Sequence, residues 1–497
     1  FDIPLTFNNP TENPNFNKYA EENGLNARVG EMPGAKVLVS PRAGFRWYVD
    51  EDRKTLVRGG LGLFTGRVPF VWLSNAFNNT GMEQKGTTVN QVKDGQGNIL
   101  QYAPSLGQYA KDPMGAMNSM SGSSAKPDIV TVDKDFKYPQ VFRTNLALEQ
   151  ILPGDVKFTL EGIYSKTLHN VFFENLALTN TGDKVYAIPG VEASAAPFYS
   201  FAKSDYYSII NLKNTNKGYT YAISGLLEKH FNFGLDLSGS YTFGHAKSVN
   251  DGTSSVAYSN WKYNYSIDTN SDGELGFSKF DIPHRIMLQA SYTTPRYLNG
   301  WMATTISVIY NAFSGSRYSL TMNEGKNDYN GDGWNGNNLL YIPTESELQK
   351  MNFVDFVNKD GKVVMTAEES RQAFGNWIEN DSYAKNHRGQ YAERNSNLSD
   401  WEHQIDLHIA QDIFYLKERG SKIQVTFDVV NFTNMLNKKW GASYSSAYNV
   451  SPLSVQSIAT EADGSRTPAY TYNSNNEVSK NDIASRWHAQ VGVRLTF

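Results

Sequence analysis

The last twelve residues constrain this chain more than any other stretch. From Arg486 to Phe497 the odd positions Trp487, Ala489, Val491, Val493, Leu495 and Phe497 are apolar, and Arg486, His488, Gln490, Arg494 and Thr496 between them are polar. Side chains of a strand alternate faces, so this segment has one unbroken oily face and one face carrying two arginines. It is about twice the usual strand length of five or six residues. A face that long needs an equally long apolar surface to cover it.

The pattern recurs upstream. Ile405, Leu407, Ile409 and Ile413 alternate with Gln404, Asp406, His408 and Asp412; Ile423, Val425, Phe427 and Val429 alternate with Gln424, Thr426 and Asp428. Similar runs lie at 37–49, 55–64, 142–148, 158–164, 219–227, 235–243 and 286–292, with a weaker one at 304–310. This predicts about eleven strands, none followed by an amphipathic helix.

The predicted connections fall into two classes that alternate strictly. Short ones at 50–54, 152–155, 231–234, 295–300 and 415–421 are rich in Gly, Pro, Asp and Asn, as tight turns require. Long ones cover roughly 1–36, 67–139, 173–218, 248–280, 320–402 and 433–485. Compact soluble domains rarely hold several structureless loops beyond about 15 residues, whereas transmembrane β-barrels combine short turns at one end with long extracellular loops at the other.

Composition agrees. Charged residues make up 19% of the 497 residues and aromatics 13%, against about 25% charged in soluble proteins. No window holds the 18 or so apolar residues of a membrane-spanning helix, so a membrane would be crossed by strands. A net charge of -4 gives no global pull on nucleic acid, and zero Cys removes thiol chemistry and disulfides. The expected fold is an all-β, transmembrane antiparallel barrel. Twelve-residue strands, loop asymmetry and the lack of a 40–50-residue repeat stand against a soluble sandwich or propeller. Eleven is odd and bacterial single-chain barrels are even, and the chain opens at Phe1 without Met or a leader. Both features lead to the expectation that strands before Phe1 are missing.

Several segments carry a resemblance. Ser40-Pro-Arg-Ala-Gly-Phe-Arg-Trp47 followed by the run from Asp52 to Arg67, Asp281-Ile-Pro-His-Arg285, the stretch Asn330 to Pro343, Asp428-Val-Val-Asn-Phe-Thr-Asn-Met-Leu-Asn437 and the strand ending in Phe497 occur in order. This set resembles TonB-dependent outer-membrane receptors of the Oar-like group common in Bacteroidota. The resemblance implies a 22-stranded plugged barrel in a Gram-negative outer membrane, of which 1–497 would be the C-terminal half. The family's regulatory domain, TonB box, plug and first strands have no counterpart here. The implied partners are outer-membrane lipid, the missing half with its plug, the TonB complex acting through that half, and a surface lipoprotein or other outer-membrane protein.

Candidate functional residues fall into three groups. The polar strand faces hold Arg42, Arg46, Arg58, Arg143, Glu149, Glu161, Asp236, Arg285, Asp406, Asp412, Asp428 and Arg494. Charge on the lipid face is costly, so these should face the lumen, where they either contact a plug and line a path or simply pair across strands. Loop 67–139 holds Phe70, Trp72, Phe77, Tyr102 and Tyr109 with Met114, Met117 and Met120; such side chains stack on ligands or build small loop cores. Asp268, Asn270 and Asp272, and again Asp328, Asn330 and Asp332, place alternate oxygen donors before a Gly. An EF-hand is excluded, because its twelfth position is Lys279 or Leu339. Two readings stand, a looser Ca²⁺-stabilised loop and an Asx-rich turn that binds nothing. Residues 345–350 and 366–377 are expected to be short helices, the latter opened by a Thr366-to-Glu369 capping box.

No G-x-S-x-G, P-loop or HExxH occurs. Of eight histidines only His403 and His408 are close in sequence, and a spacing of five puts them on opposite strand faces. The expectation is therefore no enzyme, but a barrel that captures a nutrient at its loops and passes it inward. The alternative is a structural barrel presenting large loops to surface partners or secretion machinery.

Overall fold

The computed structural model describes residues 9–82, 92–93, 99–101, 110–112, 126–201, 205–269, 273–416, 420–445, 449–474 and 478–497. Its main element is an antiparallel sheet whose central path has eleven strands in strict sequence order. These are β1 (Arg42–Tyr48), β2 (Thr55–Thr65), β3 (Gln140–Leu152), β4 (Val156–Asn175), β5 (Tyr219–His230), β6 (Leu235–Ser248), β7 (His284–Thr293), β8 (Ala303–Phe313), β9 (Glu402–Leu416), β10 (Ser421–Val430) and β11 (His488–Thr496). All eleven expected strands are present. Along this path β1 pairs with β2 and β11 with β10, so the two are the sheet's edges.

Turn chemistry sets the registers. Between β3 and β4 the chain reverses through Gly154 and Asp155, both at positive φ (76° and 56°), which suits the right-handed twist of a hairpin. Gly234 (φ 97°) closes the β5–β6 turn, and a Cβ there would stand 2.2 Å from the Thr293 carbonyl oxygen. Only glycine fits.

Directly opposed residues share a face, so the registers fix two faces across all eleven strands. One carries Phe45, Leu61, Leu146, Ile223, Leu288, Val308, Phe427, Val491 and Val493. These residues are exposed, Val491 and Val493 at 70% and 68%. An apolar surface of this extent marks a lipid or protein contact. Aromatic rings border it at both ends. At the loop end His284 stacks on Trp401 (5.9 Å), Trp401 on His403 (6.1 Å) and His403 on Tyr310 (6.2 Å). At the turn end Phe233 meets Tyr292 (6.5 Å), and Trp301 meets Phe414 (5.7 Å). Along β7, His284 to Tyr292 spans roughly 27 Å at about 3.4 Å per residue, close to the 25 Å apolar band of outer-membrane barrels.

The long connections differ from the expectation of structureless loops. Arg317–Asn323, Asn449–Thr460, Arg466–Tyr472, Thr179–Tyr186, Ala195–Ser200 and the short Asn397–Leu398 form a second, six-stranded sheet. It shares a core containing Ile188, Leu320, Tyr341, Phe374 and Tyr470, all buried. Segments far apart in sequence supply this core, so no single window shows its pattern. β4 also outruns its expected 158–164. Beyond Lys166 it leaves β5 and pairs with Ser208–Thr215, which pairs in parallel with Asp128–Val132. Burial of Val171, Phe172 and Phe173 erases the period of two there. The long connection expected at 320–402 begins already at 314, after β8 ends. Helix Ala367–Asn380 has the expected capping box, Thr366 with Glu369, and Glu345–Leu348 is the shorter helix.

Candidate functional site: the polar face and its loop crown

All twelve charged candidates fall on the second face of the sheet. Their distribution is uneven. β1 to β3 bring Arg42, Arg46, Arg58 and Arg143, while β9 and β10 bring Asp406, Asp412 and Asp428. Arg58 is the hub of the first group: its Nε donates to Glu149 at 2.7 Å and its Nη2 lies 3.4 Å from Glu161. Lys157 extends the chain to Glu149 (3.7 Å) and Glu228 (3.5 Å). Arg42 and Arg143 both stand over the Phe64 ring, at 4.5 and 5.8 Å, and Arg46 donates to Tyr48 Oη at 2.7 Å.

Near the turns, buried Asp412 accepts from Arg296 (2.9 Å) and Gln424 (2.8 Å). Asp406 accepts from the Asn431 backbone N–H (2.8 Å), tying the following loop down. His408 contacts Asp428 on this face, while His403 lies on the aromatic rim of the other, as their spacing predicts. Arg285 reaches Asn311 at 3.2 Å, Asp236 contacts His230, and Arg494 stands opposite Gln424. The polar face thus has cross-strand ion pairs, a basic end and an acidic end.

The aromatic candidates divide. Phe70, Trp72 and Phe77 lie on helix Phe70–Asn78. Trp72 packs edge-on to Phe173 at 5.5 Å and donates to the Ser254 carbonyl at 2.7 Å, so it builds a loop core. Phe70 is exposed. Tyr102, Tyr109, Met114, Met117 and Met120 lie outside the described residues, as do Asn270 and Asp272.

The two Asx-rich motifs meet: the Asn330 amide donates to the Asp268 carbonyl. Asp268 accepts from Tyr199 Oη, and in the second motif the carboxylates accept from the loop's own donors, with Asp328 Oδ1 left without a partner. Gly333 N–H donates to Asp328 Oδ2 (2.7 Å), Trp334 N–H to Asp332 Oδ1 (2.9 Å) and Asn337 to Asp332 Oδ2 (2.9 Å). Glu324, which the sequence did not single out, accepts from Tyr329 and Gly336 N–H and from Asn338. Burial pushes both Glu324 and Asp332 up to about 7. Among the described residues no three His, Asp or Glu side chains are grouped to hold a metal.

Sequence reasoning also missed a cavity of about 380 Å³ beyond the outer ends of β6 and β7, lined among others by Asp251, Lys279, Arg317 and Arg394. Single basic residues in long loops carry no periodic signal. Gly276 lets Arg394 in, since a Cβ there would stand 2.8 Å from the Arg394 Cβ.

A family model described as an outer membrane beta barrel domain matches residues 4–461. The chain belongs to this outer-membrane barrel family. Its place is the outer membrane, and the family is one of membrane barrels, not of enzymes. The exposed apolar face is accordingly the lipid face. No curated protein matches the chain. Among solved structures the barrel is similar to the outer membrane transporter YddB from Escherichia coli, with 11% identity, TM-score 0.39 and coverage of 92% of this chain and 40% of that one. It is also similar to the ferric enterobactin receptor PfeA from Pseudomonas aeruginosa in complex with enterobactin, with 9% identity, TM-score 0.36 and 92% and 40% coverage. The chain therefore spans about 40% of the length of these structures.

Proposed function

We propose that this chain is the C-terminal half of a 22-stranded, plugged barrel of the TonB-dependent, Oar-like type, which captures a nutrient at its outer loops and passes it inward. The observation that carries this reading is that the twelve charged candidates of the strands, from Arg42 to Arg494, lie on the face opposite lipid. β1 and β11 each offer an unpaired edge in the sheet's path, and an unpaired edge in lipid costs several kcal/mol per backbone group. Further strands, from the other half, would close them. In this reading the long connections are extracellular, Arg42, Arg46, Arg58, Arg143 and Glu161 face a plug near β1 to β4, and Asp406, Asp428 and Arg494 line the remaining wall. Force from an inner-membrane motor, delivered through TonB to the plug, would open the path.

The experiment is to compare ligand accumulation in cells with and without TonB or a proton gradient. Transport predicts that accumulation stops while surface binding persists. Equal accumulation would overturn it. The second reading, a scaffold presenting its loops to a surface lipoprotein or other outer-membrane partner, draws on the shared core that packs three of the long connections together. It predicts loss of partner capture, with uptake intact, when that core is disrupted by Phe374→Asp.

A further inference from the structure

Arg394 is 4% exposed, yet its side chain touches only neutral acceptors. It donates to the backbone carbonyls of Val249 and Ser248 and to Asn264 Oδ1 (2.8 Å). Its Nε N–H has no acceptor. Arg317, equally buried on the same cavity, shows what a compensated guanidinium looks like: its Nε donates to Asp281 at 2.7 Å, and its Nη1 donates to two backbone carbonyls. Burying a guanidinium without an anion in contact is strongly unfavourable. Asp251, Glu274 and Glu393 act on Arg394 from a distance, but Glu393 is engaged by Lys247 and Asp251 accepts from Ser248 and the Lys279 backbone N–H. Burial pushes the Arg394 guanidinium down from its ordinary range, and Arg317 likewise.

We infer that the cavity beside Arg394 is a binding site for the oxyanion group, carboxylate or phosphate, of a small ligand. Lys279, Arg394 and the Asp281-paired Arg317 line it, with Asp251 as the lining carboxylate. The Nε N–H of Arg394, which has no acceptor, can donate a charge-assisted hydrogen bond to an oxyanion, and a water in the same place would bring no charge. About 380 Å³ is room for a small molecule and lies within the range of ligand pockets. The site deepens the proposed transport function by giving its cargo a chemical class, and it rests on that reading only for the word cargo.

The test is calorimetric titration, in detergent micelles, of the purified whole barrel protein that contains this chain, with citrate, with inorganic phosphate and with neutral maltotriose. Citrate or phosphate is expected to bind, more weakly as salt rises, and maltotriose not to bind in this cavity. Arg394→Gln and Lys279→Gln are expected to weaken binding by about tenfold or more. Thr253→Trp, which fills the exposed mouth without altering charge, should block it. If Arg394→Gln does not fold, the other two variants decide. Preference for citrate assigns a carboxylate ligand and preference for phosphate a phosphorylated one. Failure of both anions to bind, or equal binding to wild type and variants, overturns the site. Energised uptake of a cargo that ignores these variants removes this inference and keeps transport, whereas anion binding without energised uptake does the reverse.

Discussion

Single side chains report the two environments of the sheet. Arg58 bridges Glu149 and Glu161 on the polar face while partly exposed, so its coupling is screened. A double-mutant cycle of Arg58→Ala and Glu149→Ala, read by urea unfolding in micelles, is expected to give about 0.5–1 kcal/mol that shrinks with salt. A salt-independent value would argue for a dry interior. Glu324 and Asp332 set a pH dependence in the loops. Their native values of about 7 lie above those of the unfolded chain, so the folded loop binds more protons. The stability they contribute is complete below about pH 4 and is lost as pH rises through 7. Proteolysis near 324–337 should therefore be slower at pH 5.5 than at pH 8, and a chelator should leave it unchanged. Faster cutting in chelator would instead favour the Ca²⁺ reading. The sequence showed Asp328 to Asp332 as alternating oxygens, but not that Glu324 folds back beside them, because only the tertiary turn brings it there.

At the scale of elements, strands were legible wherever both faces meet unlike surroundings. β11 shows the two-residue period over its whole length. The outer part of β4 does not, because a loop strand replaces solvent on it and buries Phe172 and Phe173. Val493→Arg, on the lipid face, is expected to cost about 2–4 kcal/mol and to reduce folded, heat-modifiable protein, whereas Gln490→Arg on the polar face should be tolerated. Equal yields would count against the assignment of faces. The β5–β6 turn is a second element-scale test. Gly234→Val puts a branched Cβ against the Thr293 carbonyl and should slow barrel assembly, while Asn232→Gly should not.

For the whole molecule, the alternation of tight and long connections was readable from turn residues alone, and it places every large loop at one end of the sheet. The shared loop core was not readable, since Ile188, Leu320, Phe374 and Tyr470 come from three separate connections. Nor was the Arg394 cavity, which rests on three isolated basic residues. The central claim is that one face of an eleven-stranded sheet lies in lipid while the other lines a wet lumen. The direct measurement is fluorophore labelling of single cysteines at each position from 488 to 496, in a chain with no native cysteine, followed by quenching with a lipid-soluble and a water-soluble agent. Odd positions are expected to be quenched from lipid and even positions from water, in strict alternation along β11. Uniform quenching by the water-soluble agent at all nine positions would contradict the account.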